Sequence, residues 1–266
     1  MIAPRLFCGL GNRLFQMVAA IKASEESGKE PVFFLPRMGR TEHGNFTTLF
    51  TLFPNVKIVE TANSWTEVCE REDGILPVID KSPLSIISGF FQNTENFPSM
   101  SNKYLPSLPS YLPSTDRWAV HFRFGDYQIL PHYHIGLAKY YYKIILEKIP
   151  NNSKICLFSD SPDKLPKISE ELQSLGYRVE IYDNSDSIET FKVFTSCSKG
   201  AICSNSTFSW WAAYFAWRHN GDDYKAYFPN RWIINHTTRL FTLPFTQSVD
   251  IDKIPAFPNL NSFSHY

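Results

Sequence analysis

Between Trp118 and Phe228 short apolar runs alternate with helix-like segments, and that alternation restricts the chain to a small set of folds. Trp118 to Phe122 reads as a buried strand, Leu137 to Ile149 as a helix stopped by Pro150, and Ile155 to Phe158 as a second strand. Pro166 to Leu175 reads as an amphipathic helix, with proline in its first turn and Gly176 as its C-cap. Val179 to Tyr182, Ala201 to Cys203 and Tyr224 to Phe228 are further strands, separated by helices over Ser187 to Cys197 and Phe208 to His219. This rhythm predicts a parallel sheet with helices on both faces.

The upstream half is less regular. Arg5 to Cys8 reads as a strand, followed by a glycine turn, a helix from about Asn12 to Ser24 and a strand over Val32 to Leu35. Val56 to Val59 and Leu84 to Ser88 are further strand candidates. Between the halves lie Pro98, Pro106, Pro109 and Pro113, a density that excludes a regular helix. The expected organisation is an α/β fold of two facing Rossmann-like lobes. Residues 1–96 form the first, 97–115 a linker, 116–241 the second, and 242–266 a tail packing back on the first lobe. Ligands of such sheets bind at the carboxyl ends of the strands.

Charge and cysteine usage narrow the function. The 26 basic and 26 acidic residues balance to zero net charge, with no basic stripe, which argues against a nucleic-acid partner. Cys8, Cys69, Cys156, Cys197 and Cys203 are odd in number and lack CxxC spacing, so they read as free thiols rather than a disulfide frame. No run approaches the ~18 apolar residues of a membrane span. The first glycine loop comes already at Gly9, which leaves no room for a signal peptide, so a cytoplasmic location is expected. The N-x-S/T triplets at Asn45, Asn151, Asn205 and Asn235 are then expected to stay unmodified.

Three motifs fall at strand ends. Gly9-Leu10-Gly11-Asn12-Arg13-Leu14-Phe15-Gln16 joins the first strand to the first helix, where glycines admit close approach and a helix start offers unpaired N–H groups to a phosphate. Leu14 stands where a dinucleotide fingerprint needs its third glycine, which weakens a dehydrogenase reading. His121-Phe122-Arg123-Phe124-Gly125-Asp126 closes the first strand of the second lobe. Alternation puts His121 and Arg123 on one face, and the planar guanidinium of Arg123 suits a diphosphate. The same residues also allow a local Arg123–Asp126 ion pair beside a core histidine. Ser204-Asn205-Ser206-Thr207 opens a helix, where its hydroxyls either meet a ligand or cap the helix.

Asp160 lies in a strand-to-helix turn and either reaches the cleft or caps that turn. Glu189 begins a helix, where it faces a nucleobase or solvent. Trp210 and Trp211 read as packing residues. His132 and His134 lack partners for a zinc set, and there is neither a G-x-S-x-G elbow nor a GK[ST] loop. The only D-x-D triplet, Asp250 to Asp252, sits in the tail, so no catalytic metal is expected.

In order along the chain, these segments resemble glycosyltransferase family 11, the α-1,2-fucosyltransferases. Cys8 to Gln16 is similar to that family's Gly-Gly-Leu-Gly-Asn-Gln-Leu-Phe-Gln opening, with Cys8 and Arg13 substituted. Gly89-Phe90-Phe91-Gln92 resembles its Gly-Tyr-Phe-Gln element, His121 to Asp126 its His-x-Arg-Arg-x-Asp motif, and Asn205 to Trp211 its Asn-Ser-Thr/Ser-Phe-Ser-Trp-Trp motif. Pro229 and Trp232 match a later pair.

The resemblance implies an inverting, metal-independent transferase without a cofactor. It would move a sugar, L-fucose from GDP-fucose as first expectation, from a donor-binding second lobe to a glycan hydroxyl on the first. It assigns Arg123, Asn12, Gly9 and Gly11 to the diphosphate, His121 to the donor pocket, and Asn205, Ser206 and Thr207 to the nucleotide. Arg123, Asp126 and Asn12 are the expected catalytic residues, Asp126 as base with Glu42 and His43 behind it. Two positions depart from the pattern: Phe124 replaces the second arginine, and Glu189-Thr190 stands where an acidic pair is expected. Both leave open another nucleotide sugar, such as a UDP-sugar, or an inactive sugar-binding module.

Overall fold

The computed structural model describes residues 1–38, 46–125, 137–233 and 242–255. The chain divides into two compact units, Met1–Pro109 and Ser110–Tyr266, and the boundary falls inside the proline-rich stretch.

In the first unit β1 (Ile2–Pro4) runs into α1 (Leu10–Ser27), followed by β2 (Val32–Phe34), α2 (Thr47–Leu52), β3 (Lys57–Val59), β4 (Thr66–Cys69) and β5 (Ser85–Ser88). β1, β5 and β4 form a parallel sheet in that order, and β2 pairs in parallel with β3. α1 buries Leu14, Phe15, Met17, Val18, Ala19, Ala20 and Ile21, a nearly continuous apolar run that makes it a core helix rather than a surface one. It ends where Gly28, at φ 71°, turns left-handed and donates its N–H to the Ser24 carbonyl.

The first strand lies earlier than its sequence expectation over Arg5 to Cys8. Ile2 and Ala3 are fully buried and pair with Ser85 and Ile86, whereas Arg5 is exposed and Cys8 has φ 61°, which no strand accommodates. Residues 5–9 are therefore loop. β4 has no counterpart in the sequence reading, because its half-exposed Thr-Glu-Val-Cys is too polar to stand out.

The second unit contains β6 (Arg117–Phe122), α3 (Ala138–Lys148), β7 (Lys154–Ser159), α4 (Leu165–Ser174), β8 (Arg178–Tyr182), α5 (Ser187–Ser196), β9 (Gly200–Ile202), α6 (Thr207–Asn220), β10 (Ala226–Pro229) and β11 (Thr246–Val249). Its six strands are all parallel, in the order β11-β10-β9-β6-β7-β8. Counted within the unit that is 3-2-1-4-5-6, the doubly wound Rossmann order. One face packs Val120, Phe122, Ile155 and Leu157 against Tyr140, Ile144, Ile168 and Leu172 of α3 and α4. On the other face Phe158 meets Phe194 of α5 at 5.1 Å, and Phe191 stacks on Phe208 of α6 at 4.5 Å. Trp210 and Trp211 are fully buried and pack edge to face at 4.9 Å.

The described part of the tail does not follow the expectation of a return to the first lobe. Thr246 to Val249 pair with Ala226 to Pro229 as an outer strand, and Ile251 and Ile254 join the core beneath α3 and α4. As the outer strand, β11 covers the edge that β10 would otherwise expose, and Ile251 and Ile254 bury apolar surface in the same unit.

Candidate active site

In the second unit the chain moves outward from β6 through β7 to β8, then returns to β9 on the opposite side of β6. The direction of winding reverses between β6 and β9, and the crevice at the carboxyl ends of two such strands is where doubly wound sheets hold ligands. His121, Arg123 and Gly125 lie at the end of β6, and Ser204 to Thr207 at the end of β9. Sequence spacing alone does not make them neighbours; the strand order does.

His121 is buried, and its Nδ1 lies 3.1 Å from the Ser204 hydroxyl. Its ring is tilted against Phe208 at 5.8 Å, and its carbonyl accepts from the Tyr141 hydroxyl at 2.8 Å. Burial, reinforced by the positive charge of Arg123, lowers the imidazole pKa to about 3. His121 is therefore neutral at ordinary pH, buried at the end of β6 where the winding reverses.

Arg123 is held by Asp160 at the end of the neighbouring strand, with Nη1 2.8 Å from Oδ2. The other carboxylate oxygen accepts the Phe124 amide at 2.9 Å. Asp160 thus fixes the main chain after Arg123 as well as its guanidinium, a task the sequence did not reveal. Gly125 makes that approach possible: a Cβ there would lie 2.2 Å from Asp160 Oδ2. Phe124, at the position of the second arginine in the resembled motif, is buried, stacks on Phe122 and lies under Lys164 Nζ at 5.1 Å.

α6 starts at Thr207 behind Ser206, yet no side chain caps it and its first turn carries no acid. The Ser209 hydroxyl turns back to the Ser206 carbonyl at 3.0 Å, and the Ser206 side chain caps none of the first N–H groups of the helix. α5 is the opposite case. Asp186 accepts from the amides of Ile188 and Glu189, and Glu189 pairs with Lys192 at 2.8 Å. Its start is already filled, which weakens the base-reading role for Glu189. Asn205 is buried and donates to the Trp232 carbonyl at 2.9 Å, tying two motifs of the sequence together.

In the first unit the loops after β1 and β5 lie side by side, joined by a 2.8 Å bond from Gln92 Nε2 to Asn12 Oδ1. α1 likewise begins without a side-chain cap or an acid in its first turn. The sharp turn ahead of it belongs to Cys8 rather than to Gly9, whose φ is −70°. Arg13 is buried, donates from Nε to the Cys8 carbonyl at 2.8 Å and lies over Phe46 at 5.0 Å. It braces the loop, and burial lowers its pKa. Glu70, unnoticed in the sequence, accepts from the amides of Phe90 and Phe91 at 2.7 and 2.6 Å.

Asp126, Glu42, His43, His132 and His134 lie outside the described residues. Among the described residues no group of three or more His, Cys, Asp or Glu is arranged to hold a metal, and no helix is long and apolar enough to cross a membrane. All five cysteines are free.

Arg123, fixed by Asp160, and the start of α6 lie at the winding reversal of a Rossmann-ordered sheet, the region where sheets of this order hold ligands. Comparison with known proteins identifies the class. Residues 113–221 match the model of Glycosyl transferase family 11, and the protein is a glycosyltransferase. The α-1,2-colitosyltransferase of Escherichia coli is 26% identical over 275 residues, covering 87% of this chain and 92% of that protein. Among solved structures, the fucosyltransferase NodZ from Bradyrhizobium aligns over 80% of this chain and 91% of its own, at 12% identity and a TM-score of 0.48. The NodZ α-1,6-fucosyltransferase soaked with GDP-fucose aligns over the same shares, at 14% identity and a TM-score of 0.41.

Proposed function

We propose that the protein transfers L-fucose from GDP-fucose to a glycan hydroxyl, with inversion at the anomeric carbon and without a metal ion. The observation that carries this reading is the placement of Arg123, fixed by Asp160, beside the uncapped start of α6 at the β6/β9 reversal. The acceptor oxygen attacks the anomeric carbon, the bond from that carbon to the diphosphate oxygen breaks, and GDP departs with its electron pair. Negative charge grows on the diphosphate as that bond lengthens. Arg123 and the amides behind Ser206 and Thr207 meet it with dipoles already in place. Asp126 is the first candidate to take the acceptor proton.

A second donor has one specific observation in its favour: the relative from Escherichia coli is named for α-1,2-colitosyl transfer. The test is a screen of nucleotide sugars for turnover, with calorimetry of GDP, UDP and dTDP beside it. GDP-fucose turnover with GDP bound most tightly supports the first reading. Turnover of a GDP-linked sugar other than fucose transfers the proposal to that sugar. Preference for UDP or dTDP overturns the guanine assignment, and absence of both turnover and donor hydrolysis overturns the transfer itself.

A further inference from the structure

We infer that Phe7 and Phe90 form a stacking platform for a sugar ring of the acceptor glycan, on the first unit, beside the loop that carries Asn12. The inference rests on the transferase reading above and assigns its second substrate a place.

The two rings meet edge to face, with centroids 5.1 Å apart, and 45% of Phe90 stays exposed. Single exposed apolar side chains are common on proteins, but here the chain spends structure on holding one in place. Phe91 is held at φ 53°, a left-handed conformation that bulky residues rarely adopt. The amides of Phe90 and Phe91 are both clamped by the Glu70 carboxylate, whose pKa burial raises and these two bonds only partly bring back down. Gly89 has no room for a side chain, since a Cβ there would stand 2.3 Å from Glu70 Cβ. Backbone strain of this kind persists where the surroundings over-determine it, and here the whole turn presents one exposed ring.

The surroundings match a carbohydrate. Both loops leave the carboxyl ends of paired parallel strands, β1 and β5, the edge where such sheets take ligands. The C–H groups on one face of a pyranose carry partial positive charge and suit the negative face of an aromatic ring. Hydroxyls need amide or carbonyl partners close by. Gln92 and Asn12 supply a bonded amide pair, and Gln16 adds a buried Nε2 that has no hydrogen-bond partner. The Gln16 carbonyl accepts from the Phe7 amide at 3.1 Å, so this amide head lies against the loop that carries the platform.

The test compares the full chain with Phe90→Ala and Phe90→Trp on a printed array of defined oligosaccharides, without nucleotide, and measures GDP affinity of all three by calorimetry. The exposed position lets both variants fold, which a thermal midpoint verifies. The expected result is a loss of at least tenfold in glycan retention for Phe90→Ala, retention by Phe90→Trp, and one GDP affinity throughout. Equal retention by wild type and Phe90→Ala overturns the platform, as does a wild type that retains no glycan. A fall in GDP affinity together with glycan retention also overturns it, by placing Phe90 at the nucleotide. Failure of the wild type to bind GDP strikes the donor reading alone, because the array is read without nucleotide.

Discussion

Asp160 grips Arg123 with one carboxylate oxygen, at 2.8 Å, and the amide of the next residue, Phe124, with the other, at 2.9 Å. One side chain therefore sets both the direction of the guanidinium and the path of the chain that bears it. If Arg123 neutralises the leaving diphosphate, Arg123→Ala removes a preorganised charge and should lower turnover by at least about 100-fold with the fold intact. Asp160→Asn keeps an acceptor for the Phe124 amide but weakens the grip on Arg123. It should raise the donor KM and lower kcat by roughly tenfold, a smaller loss because the cation itself remains. Steady-state kinetics with circular dichroism would check both.

Gly125 should report on the same contact from the other side. A methyl group at this position would overlap Asp160 Oδ2, the mobile end of a side chain, so the carboxylate yields before the backbone does. Gly125→Ala is then expected to reproduce the kinetic defect of Asp160→Asn at little cost in thermal midpoint. The double variant should be no worse than either single one, since both break one interaction. Additive losses in the double-mutant cycle would disprove the link.

Much of this was legible in the sequence, and the reasons differ by element. The second unit was readable because buried parallel strands are continuous apolar runs, as at Ile155 to Phe158, and because Gly176 and Pro150 punctuate its helices. The meeting of His121 with Ser204 was not readable, because it depends on β9 lying beside β6 rather than beside β8. Asp160 is legible as a carboxylate at a strand end, but its hold on Arg123 is not. Proximity in sequence is a poor guide where parallel strands bring residues thirty-seven apart into contact. β11 was missed because Thr246 to Val249 is an outer, half-exposed strand without an apolar run.

Cys8 stands where the resembled opening motif has glycine, and it carries φ 61°. A side chain in that region costs about 1–2 kcal/mol, partly offset by the smaller entropy that cysteine loses on folding. Cys8→Gly should accordingly stabilise the protein by roughly 0.5–1 kcal/mol. Urea unfolding would show this as a higher midpoint with an unchanged slope.

Tyr140 links two strands at the ligand edge. Its hydroxyl lies 2.9 Å from the Cys203 carbonyl and 2.6 Å from the Tyr227 carbonyl, in a buried place. Tyr140→Phe removes this donor at almost unchanged volume; the Tyr227 carbonyl still accepts from the Cys203 amide at 2.9 Å, so the loss falls on the Cys203 carbonyl. The expected loss is about 1–3 kcal/mol, the cost of an unsatisfied buried group. A thermal midpoint lower by roughly 2–4 °C per kcal/mol would register it.

The buried His121 gives stability a pH dependence with a definite sign. Its imidazole protonates near pH 6.5 in an unfolded chain and only at about 3 in the folded one. Between those values the unfolded chain binds more protons, so acidification favours unfolding, and the stability that neutral His121 allows is fully present only above about pH 6.5. The shift corresponds to a loss on the order of 5 kcal/mol when the whole window is crossed. Among the described residues the groups that face the ring are Arg123, Ser204, Phe208 and Tyr141; the first repels a second positive charge, and the others offer none to balance it. His121→Gln retains a hydrogen-bonding side chain but cannot protonate. Its thermal midpoint should therefore fall less than that of the wild type between pH 6.5 and 5, a range in which most carboxylates stay ionised. Parallel curves for the two proteins would show that His121 takes its proton as readily in the folded chain as in the unfolded one, and would remove the neutral imidazole from the proposed donor site.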